Sequence, residues 1–262
     1  MSVLFEEKKP IEDLVNELMK YMQIEARYRN RLVNAAIQIR HKCTHLKHLS
    51  HLARTEVDES NPEHRKLLYD IWEGLDERTP PASFNITKTT CKDDAASSSW
   101  GDLGFQTPMT DFRMTGLLGL KSLHYVAVKH RKRSQYALKI SQQRDAWFPF
   151  AITSINVTAW VLDDLRTNKL AAFLYHNDIA AEEVFFILHA YYLFAFVVYW
   201  EKHAVSSVFE FKGISVEFRK HILEEIEATI LNVLHDNSSD RSCGYILSQS
   251  VSEKLFTLDE IS

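Results

Sequence analysis

Apolar residues recur at helical spacing along most of the chain. Two amphipathic stripes lie near the N-terminus, and a charged segment from Glu25 to Arg31 separates them. The first stripe consists of Ile11, Leu14, Val15, Leu18 and Met22, and the second of Leu32, Ala36, Ile39, Cys43 and Leu46. This pattern predicts one long helix or a helical pair over about residues 11–50.

A further helix is predicted to begin at Pro62. Asn61 is a suitable N-cap, and Pro62 suits the first helical position, where no amide donor is needed. The predicted buried face comprises Leu67, Leu68, Ile71, Trp72 and Leu75. Between residues 76 and 99 the periodicity disappears and Thr, Pro, Asp and Ser dominate, which predicts a flexible loop.

Four more helical segments follow, at about residues 112–133, 147–166, 180–200 and 216–234. No internal repeat and no alternating strand pattern is found, and glycine and proline are scarce, with 7 and 6 residues. The sequence therefore predicts an all-α protein. Its predicted organisation is an N-terminal helical extension over 1–60, one helical domain over 61–235, and a poorly ordered tail over 236–262.

The segment Val184–Trp200 contains 17 residues without a formal charge. A membrane-spanning helix needs about 20 apolar residues, so this segment lies at the lower limit. It also contains His189, and Glu201 and Lys202 follow directly. We expect a central core helix that is apolar on every side, and the alternative is a membrane anchor.

Amino-acid composition excludes only a few classes of function. The 262 residues carry a formal net charge of −4, which gives no general indication of binding to nucleic acid. Three widely separated cysteines and the lack of a recognisable secretory signal favour a reducing, cytoplasmic location. No nucleotide-binding P-loop, nucleophile elbow or CxxC motif is present, so no hydrolase, NTPase or redox centre is predicted.

Two clusters of titratable residues invite a chemical interpretation. His41, His45 and His48, with Cys43 nearby, share a helix face and are candidate zinc ligands, although Arg40, Lys42 and Lys47 beside them favour a solvated basic face. The run Lys129–Arg133 is a candidate phosphate-binding patch. Its position at a predicted helix end favours a structural role, in which the cations complement the negative helix terminus. No metal site is predicted.

The stretch WGDLGFQTPMTDFRMTGLLGL, residues 100–120, holds four of the seven glycines. Thr110 or Asp111 is the expected N-cap of the following helix, which places Arg113 in its first turn, where a positive charge is unfavourable. Asp111 could hold the guanidinium in a bidentate pair until a stronger anion arrives. The structural alternative is an Arg–Asp pair that ties the turn to the surface.

This stretch resembles the signature of the ELMO domain family, which has a Trp, then Gly-Phe-Gln, then Pro-x-Thr-Asp-x-Arg, then Gly-x-x-x-Leu. NPEHRKLLYDIW upstream, and FPFAITSINVTAWVLDDL, VVYWEKH and VEFRKHI downstream, are also similar to family segments, so the resemblance covers about residues 61–235. Long family members are scaffolds that work with Dock-type exchange factors. Short members are GTPase-activating proteins for Arf-family and Arf-like GTPases.

The resemblance implies that this chain is a GTPase activator and not itself an enzyme, with Arg113 as the catalytic arginine that it supplies to an Arf-like GTPase. The remaining motif positions, which are implied to aim that arginine, are Trp100, Gly104, Phe105, Gln106, Pro108, Asp111 and Gly116. The chain needs no cofactor of its own, because GTP and Mg²⁺ belong to the partner. Any association with an organelle membrane is expected to be peripheral. The alternative is a non-catalytic adaptor for a small GTPase or a Dock-type exchange factor.

Two positions depart from the family pattern. Only Thr107 separates Gln106 from Pro108, where the family has about three residues, and Met114 follows Arg113 where the family has glycine. A shorter loop and a stiffer turn would change the position of Arg113 or the choice of GTPase.

Overall fold

The computed structural model describes residues 9–81, 84, 99–144, 146–175, 179–203 and 207–236, with side chains up to residue 231. Throughout these ranges the regular elements are helices, so the predicted all-α fold is confirmed. In chain order they are α1 (Ile11–Met22), α2 (Arg29–Arg54), α3 (Pro62–Leu75), α4 (Pro108–Asp111), α5 (Gly116–Lys129), α6 (Arg131–Ser141), α7 (Phe150–Arg166), α8 (Ala181–Lys202) and α9 (Phe211–Asp236). The predicted flexible loop and C-terminal tail lie largely outside the described residues.

Helices α1 and α2 form a hairpin, so the helical pair predicted over residues 11–50 is confirmed. Helix α1 ends at Met22. The next residue, Gln23, takes a left-handed conformation with φ 54°, and a single 3₁₀ turn at Ala26–Tyr28 leads into α2. Helix α1 buries Leu14 and Val15. Helix α2 continues to Arg54, and its last turns bury Leu49 and Leu52 in the main core.

Helix α3 begins as predicted. The Asn61 side chain accepts a hydrogen bond from the Glu63 amide at 2.9 Å, and Pro62 occupies the first turn. Four of the five residues predicted on its inner face are buried, and Leu67 packs at the edge of the core. The backbones of α3 and α5 approach closely at Gly74, where a Cβ atom would lie 2.8 Å from the Ala127 carbonyl carbon. Glycine at this position thus fixes the distance between the two helices.

Helix α8 is the centre of the core, as the sequence predicted. It contacts α5, α6, α7 and α9, and its residues Phe185, Tyr192 and Phe196 are fully buried. It is the one helix in the described ranges that has the length and apolar composition of a membrane span, and 67% of its most apolar window is buried inside the protein. In this fold the neighbouring helices occupy the place that lipid would otherwise take.

The helix predicted over about residues 112–133 is wrong at both ends. Helix α5 begins at Gly116 and ends at Lys129, and His130 breaks the chain before α6 begins. The buried Ser134 hydroxyl donates to the Val126 carbonyl at 2.8 Å, and the same carbonyl accepts the last hydrogen bond of α5 from the His130 amide at 3.0 Å. Most of the basic run Lys129–Arg133 therefore lies in the first turn of α6 and does not stabilise a helix C-terminus. The next helix, α7, also begins later than predicted, at Phe150 after Pro149.

Asp164 of α7 is a buried structural residue. Its side chain is fully buried and accepts hydrogen bonds from Arg219 at 3.0 Å, Lys169 at 3.2 Å and Tyr192 at 3.3 Å. Burial and the neighbouring carboxylate raise the pKa of the Tyr192 hydroxyl. Asp164 thus joins α7, α8 and α9 at one polar point inside the core, whereas Asp163 is exposed.

Replacing Asp164 by Ala is expected to lower the free energy of unfolding by about 3–5 kcal/mol, because the buried Tyr192 hydroxyl loses its acceptor and the half-buried Arg219 loses its buried carboxylate partner. Asp163→Ala is the matched control. Asp163 is 56% exposed and bonds the same arginine, so its loss is expected to cost less than about 1 kcal/mol. Urea denaturation of both variants measures the difference, and equal losses would contradict the structural role of Asp164.

Candidate functional site

The residues of the signature stretch form one compact turn against the core. It opens with a 3₁₀ helix, Trp100–Leu103, whose first residues are held by a capping box between Ser99 and Asp102. The Trp100 ring is 1% exposed and packs edge-on against Trp72, with the ring centroids 5.1 Å apart. The aromatic side chain thus anchors the start of the turn to α3.

Gly104 allows the chain to reverse after this 3₁₀ helix. Its φ of +85° is a conformation that other residues rarely adopt, and an added Cβ atom would lie 2.7 Å from the Pro149 carbonyl carbon. The turn therefore packs directly against the segment that enters α7. Phe105 follows, is 4% exposed and places its ring 5.9 Å from that of Phe112.

Asp111 is the polar centre of the turn. One of its carboxylate oxygens, Oδ2, accepts hydrogen bonds from the backbone amides of Gln106 at 2.7 Å and Thr107 at 3.0 Å. Burial raises the pKa of this carboxyl, while the two amides and the nearby Arg113 charge act in the opposite direction. The carboxylate closes the loop between Gly104 and Pro108, the first residue of α4.

Gly116 fixes the other end of the site. Its φ is +51°, and an added Cβ atom would lie 2.7 Å from the Ala53 carbonyl oxygen and 2.9 Å from that of Leu52. The next amide, of Leu117, donates to the Thr55 carbonyl at 2.8 Å. The start of α5 therefore meets the end of α2. There the positive N-terminal end of α5 faces the carbonyl groups at the C-terminal end of α2.

Arg113 lies between these two fixed points, in a 3₁₀ turn at Phe112–Met114 that precedes α5. Its side chain is exposed, and within the described ranges its hydrogen bond is a long one of 3.5 Å to the Thr110 carbonyl. The bidentate pair predicted between Asp111 and Arg113 is wrong, because Asp111 is engaged with the amides of the loop. The expected N-cap role of Thr110 or Asp111 is also wrong, because both residues belong to α4.

Burial divides the signature residues into two groups. Trp100, Phe105, Pro108, Asp111 and Gly116 are buried, with Gly104 half-buried against α7. Gln106, Thr110, Arg113 and Met114 are exposed. The buried group makes the contacts that shape the turn, and the exposed group is available to a partner. A guanidinium there, ionised and only weakly held, can bind an anion such as a phosphate.

One neighbouring feature was not predicted from the sequence. A cavity of about 460 Å³ lies beside the turn, lined by Gly104, Phe105 and Gln106 on one side and by Trp147 and Gln142 on the other. Trp147 is 49% exposed. The sequence indicated only a helix beginning at this tryptophan, and its exposure follows from the later start of α7, which leaves it in a connecting segment.

The histidines of α2 do not come together as a metal site. In the part of the chain that the structure describes, no group of three or more His, Cys, Asp or Glu side chains is arranged to hold a metal ion. His45 is buried, and His48 contacts Glu182 of α8 at 2.9 Å. Glu182 also binds Lys121. Burial acts to raise the pKa of its carboxyl, but the bonds to Lys121 and His48 together outweigh it and lower that pKa. The predicted solvated face is thus partly a contact between helices.

Asp111→Ala is expected to lower the free energy of unfolding by about 1–3 kcal/mol, because two partly buried amides lose their acceptor. Asp111→Asn keeps a side-chain oxygen in the same place and is the matched control, with an expected loss smaller than that of the alanine variant. Chemical denaturation measures both. A loss in the asparagine variant as large as in the alanine variant would show that the negative charge, and not the acceptor geometry, stabilises the turn.

The chain is similar in sequence to several ELMO domain-containing proteins. ELMO domain-containing protein B of Dictyostelium discoideum is 32% identical over 167 residues, which is 63% of this chain and 54% of that protein. ELMO domain-containing protein 1 of Mus musculus is 28% identical over 197 residues, and ELMO domain-containing protein 2 of the same species is 27% identical over 178 residues. These alignments span 67% and 66% of this chain, and 57% of each relative.

The chain thus spans a little over half of the length of the curated relatives that it matches. No solved structure matches it significantly. The family model of the ELMO/CED-12 family matches residues 47–215, a range that contains the complete signature turn and helices α3 to α8. On this match over most of its length, and on the all-helical fold that carries the motif, the chain belongs to the ELMO/CED-12 family.

Proposed function

We propose that this protein is a GTPase-activating protein for a small GTPase of the Arf or Arf-like family, and that Arg113 is the arginine it inserts into the partner's nucleotide site. One observation carries the proposal: Arg113 is exposed and weakly held on a turn whose other residues are buried and fixed. Family membership supports a small GTPase as the partner.

The chemistry of GTP hydrolysis explains why such an arginine suffices. Negative charge spreads over the transferred phosphoryl group and the leaving oxygen in the transition state. A guanidinium supplied in trans stabilises that charge, and in other small GTPases this contributes about 10³–10⁵-fold to the rate. The activator then needs neither a nucleotide site nor a metal of its own, because GTP and Mg²⁺ are bound by the partner.

The contacts of Asp111 favour this use of Arg113. A carboxylate that was paired with the guanidinium would have to be displaced before the arginine could meet a phosphate. Here the Asp111 carboxylate accepts hydrogen bonds from two backbone amides, and the Arg113 guanidinium makes one long hydrogen bond to a backbone carbonyl. Gly104 and Gly116 hold the backbone on either side, so the side chain alone moves when a partner binds.

The two departures from the family pattern are accommodated within the turn. The Thr107 amide is bonded to Asp111 like that of Gln106, so the short connection to Pro108 is closed. Met114 is 78% exposed beside Arg113. We infer that Met114 and Gln106 contact the GTPase next to its nucleotide and contribute to the choice among Arf-family partners.

The second candidate function is a non-catalytic adaptor that binds a small GTPase through the same surface. The exposed Met114 and the cavity beside Trp147 favour it, since both offer apolar contact without chemistry. We place either activity in the cytoplasm, at the surface of an organelle where the GTPase resides.

GTP hydrolysis by a panel of Arf-family GTPases distinguishes the two functions. Wild type is expected to accelerate phosphate release over multiple turnovers, and Arg113→Lys is expected to lose about 10³-fold or more of that acceleration, because a lysine cannot reproduce the planar fork of donors. Binding of the GTP-bound partner should change much less.

Arg131→Lys is the matched control. Arg131 is exposed just beyond the far end of α5, a helix of 14 residues and therefore about 21 Å long, so its replacement should leave the acceleration unchanged. If wild type binds a GTPase of the panel without accelerating hydrolysis, the adaptor function is correct. If Arg113→Lys remains as active as wild type, Arg113 is not the catalytic arginine.

A further inference from the structure

The α1–α2 hairpin lies mostly outside the residues that the family model matches, which begin at residue 47. Leu14 and Val15 of α1 and Ala36 of α2 are buried, but they do not belong to the main core cluster, whose first member on α2 is Leu49. Along α2, the first side-chain hydrogen bond to the rest of the domain comes from Lys42, in the middle of the helix, which donates to Asn168. Helix α1 and the first half of α2 thus form an arm that is stabilised mainly by its own two helices.

The end of this arm exposes three large apolar side chains. We name residues 20–31, which include the last turn of α1 and the first turn of α2, the hairpin tip. Tyr21 is 89% exposed, Met22 60% and Tyr28 37%. Several large apolar side chains exposed close together often mark an interaction site. Their exposure at the tip therefore indicates that another surface covers them.

The same tip is basic, although the whole chain carries a net charge of −4. It holds four cations and a single carboxylate: Lys20, Arg27, Arg29, Arg31 and Glu25. Arg29 is paired with Glu12 of α1 at 3.0 Å and helps to close the hairpin. Lys20 and Arg31 are exposed and have no ion-pair partner within the part of the chain that is described.

Arg27 links the apolar and basic character of the tip. It pairs with Glu25 at 3.0 Å, and its guanidinium carbon lies 4.9 Å from the centre of the Tyr28 ring. In such a pair the guanidinium can remain among the lipid headgroups of a bilayer, while the tyrosine ring and the aliphatic part of the arginine reach the edge of its apolar interior. The tip therefore has the two features that interfacial membrane contacts combine, namely amphipathic aromatic side chains and surrounding cations.

We propose that the hairpin tip binds the surface of an anionic lipid bilayer. A lipid surface suits it better than a protein partner for two reasons. Three exposed apolar side chains are too few for a stable protein interface, which covers about 800 Å² on each partner. Its cations, of which Lys20 and Arg31 form no ion pair in the described part of the chain, are complementary to anionic headgroups, which attract nearby Lys and Arg side chains.

The geometry of α2 leaves the signature turn free during this contact. Helix α2 has 26 residues and is therefore about 39 Å long. The tip lies at its N-terminal end, and Gly116 packs on the carbonyl groups at its C-terminal end. A bilayer at the tip would thus lie far from Arg113. The proposal does not depend on the proposed activity, because the hairpin tip and the signature turn are separate surfaces.

Cosedimentation of the full chain with vesicles tests the proposal without any GTPase. The vesicles contain phosphatidylcholine alone or phosphatidylcholine with added phosphatidylserine. Wild type is expected to bind the anionic vesicles, to lose binding as the salt concentration rises, and to leave neutral vesicles in large excess unbound. The double variant Lys20→Glu with Arg31→Glu is expected to weaken binding by at least about 30-fold, since two attractive charges become repulsive.

A second double variant, Tyr21→Ser with Met22→Ser, is expected to weaken binding at every salt concentration, because it removes the apolar contact. Phe209→Ser is the matched control, since Phe209 is 94% exposed on a different element and should not contribute. Circular dichroism confirms that these surface variants remain folded.

Three outcomes would overturn the proposal. They are equal binding of wild type to neutral and anionic vesicles, retention of wild-type binding in both tip variants, and no binding by wild type. If wild type forms dimers that the Tyr21→Ser, Met22→Ser variant does not form, the tip binds a second copy instead. Loss of vesicle binding with normal GTPase activation in solution would separate this surface from the activity of Arg113.

Discussion

The hydrogen bonds from the Gln106 and Thr107 amides to the Asp111 carboxylate are the interaction on which the candidate site depends. They satisfy two partly buried donors of the loop, and they engage the carboxylate that lies two residues before Arg113. The glycines on either side then lock the loop onto α7 and α2. An exposed cation on a rigid turn is the consequence, and this is the property that transition-state stabilisation requires, because no reorganisation is needed when the charge develops.

The large-scale fold was predictable because its signals are local and periodic. The caps of α3 at Asn61 and Pro62, the apolar stripes of α1 and α2, and the fully apolar segment of α8 each specify a helix without knowledge of any neighbour. The break at His130 was not predictable in this way. The Ser134 hydroxyl bonds the Val126 carbonyl across this break, a contact that exists only once the chain has turned.

The sequence predicted which residues share the signature turn, but it did not predict the hydrogen bonds among them. The motif identified Arg113 and its seven companions, and the structure places all of them in one turn. The hydrogen-bond partner of Asp111 could not be inferred from the sequence. Its carboxylate could reach either the Arg113 guanidinium, two residues later, or the Thr107 amide, four residues earlier, and tertiary packing decides between them. Asp164 shows the same limit. Adjacent aspartates look equivalent in a sequence, and only the positions of Tyr192 and Arg219 make one of them a core residue.

In the proposed function, Arg113 acts on charge that develops in the transition state and not on the bound substrate. The most direct measurement is the affinity of the protein for an Arf-family GTPase loaded with GDP and aluminium fluoride, compared with the same GTPase loaded with a non-hydrolysable GTP analogue. Wild type is predicted to bind the aluminium fluoride form more tightly, and Arg113→Ala is predicted to lose that gain while it keeps its affinity for the analogue form. Equal affinities of wild type for the two forms, or a gain that survives in Arg113→Ala, would contradict the account.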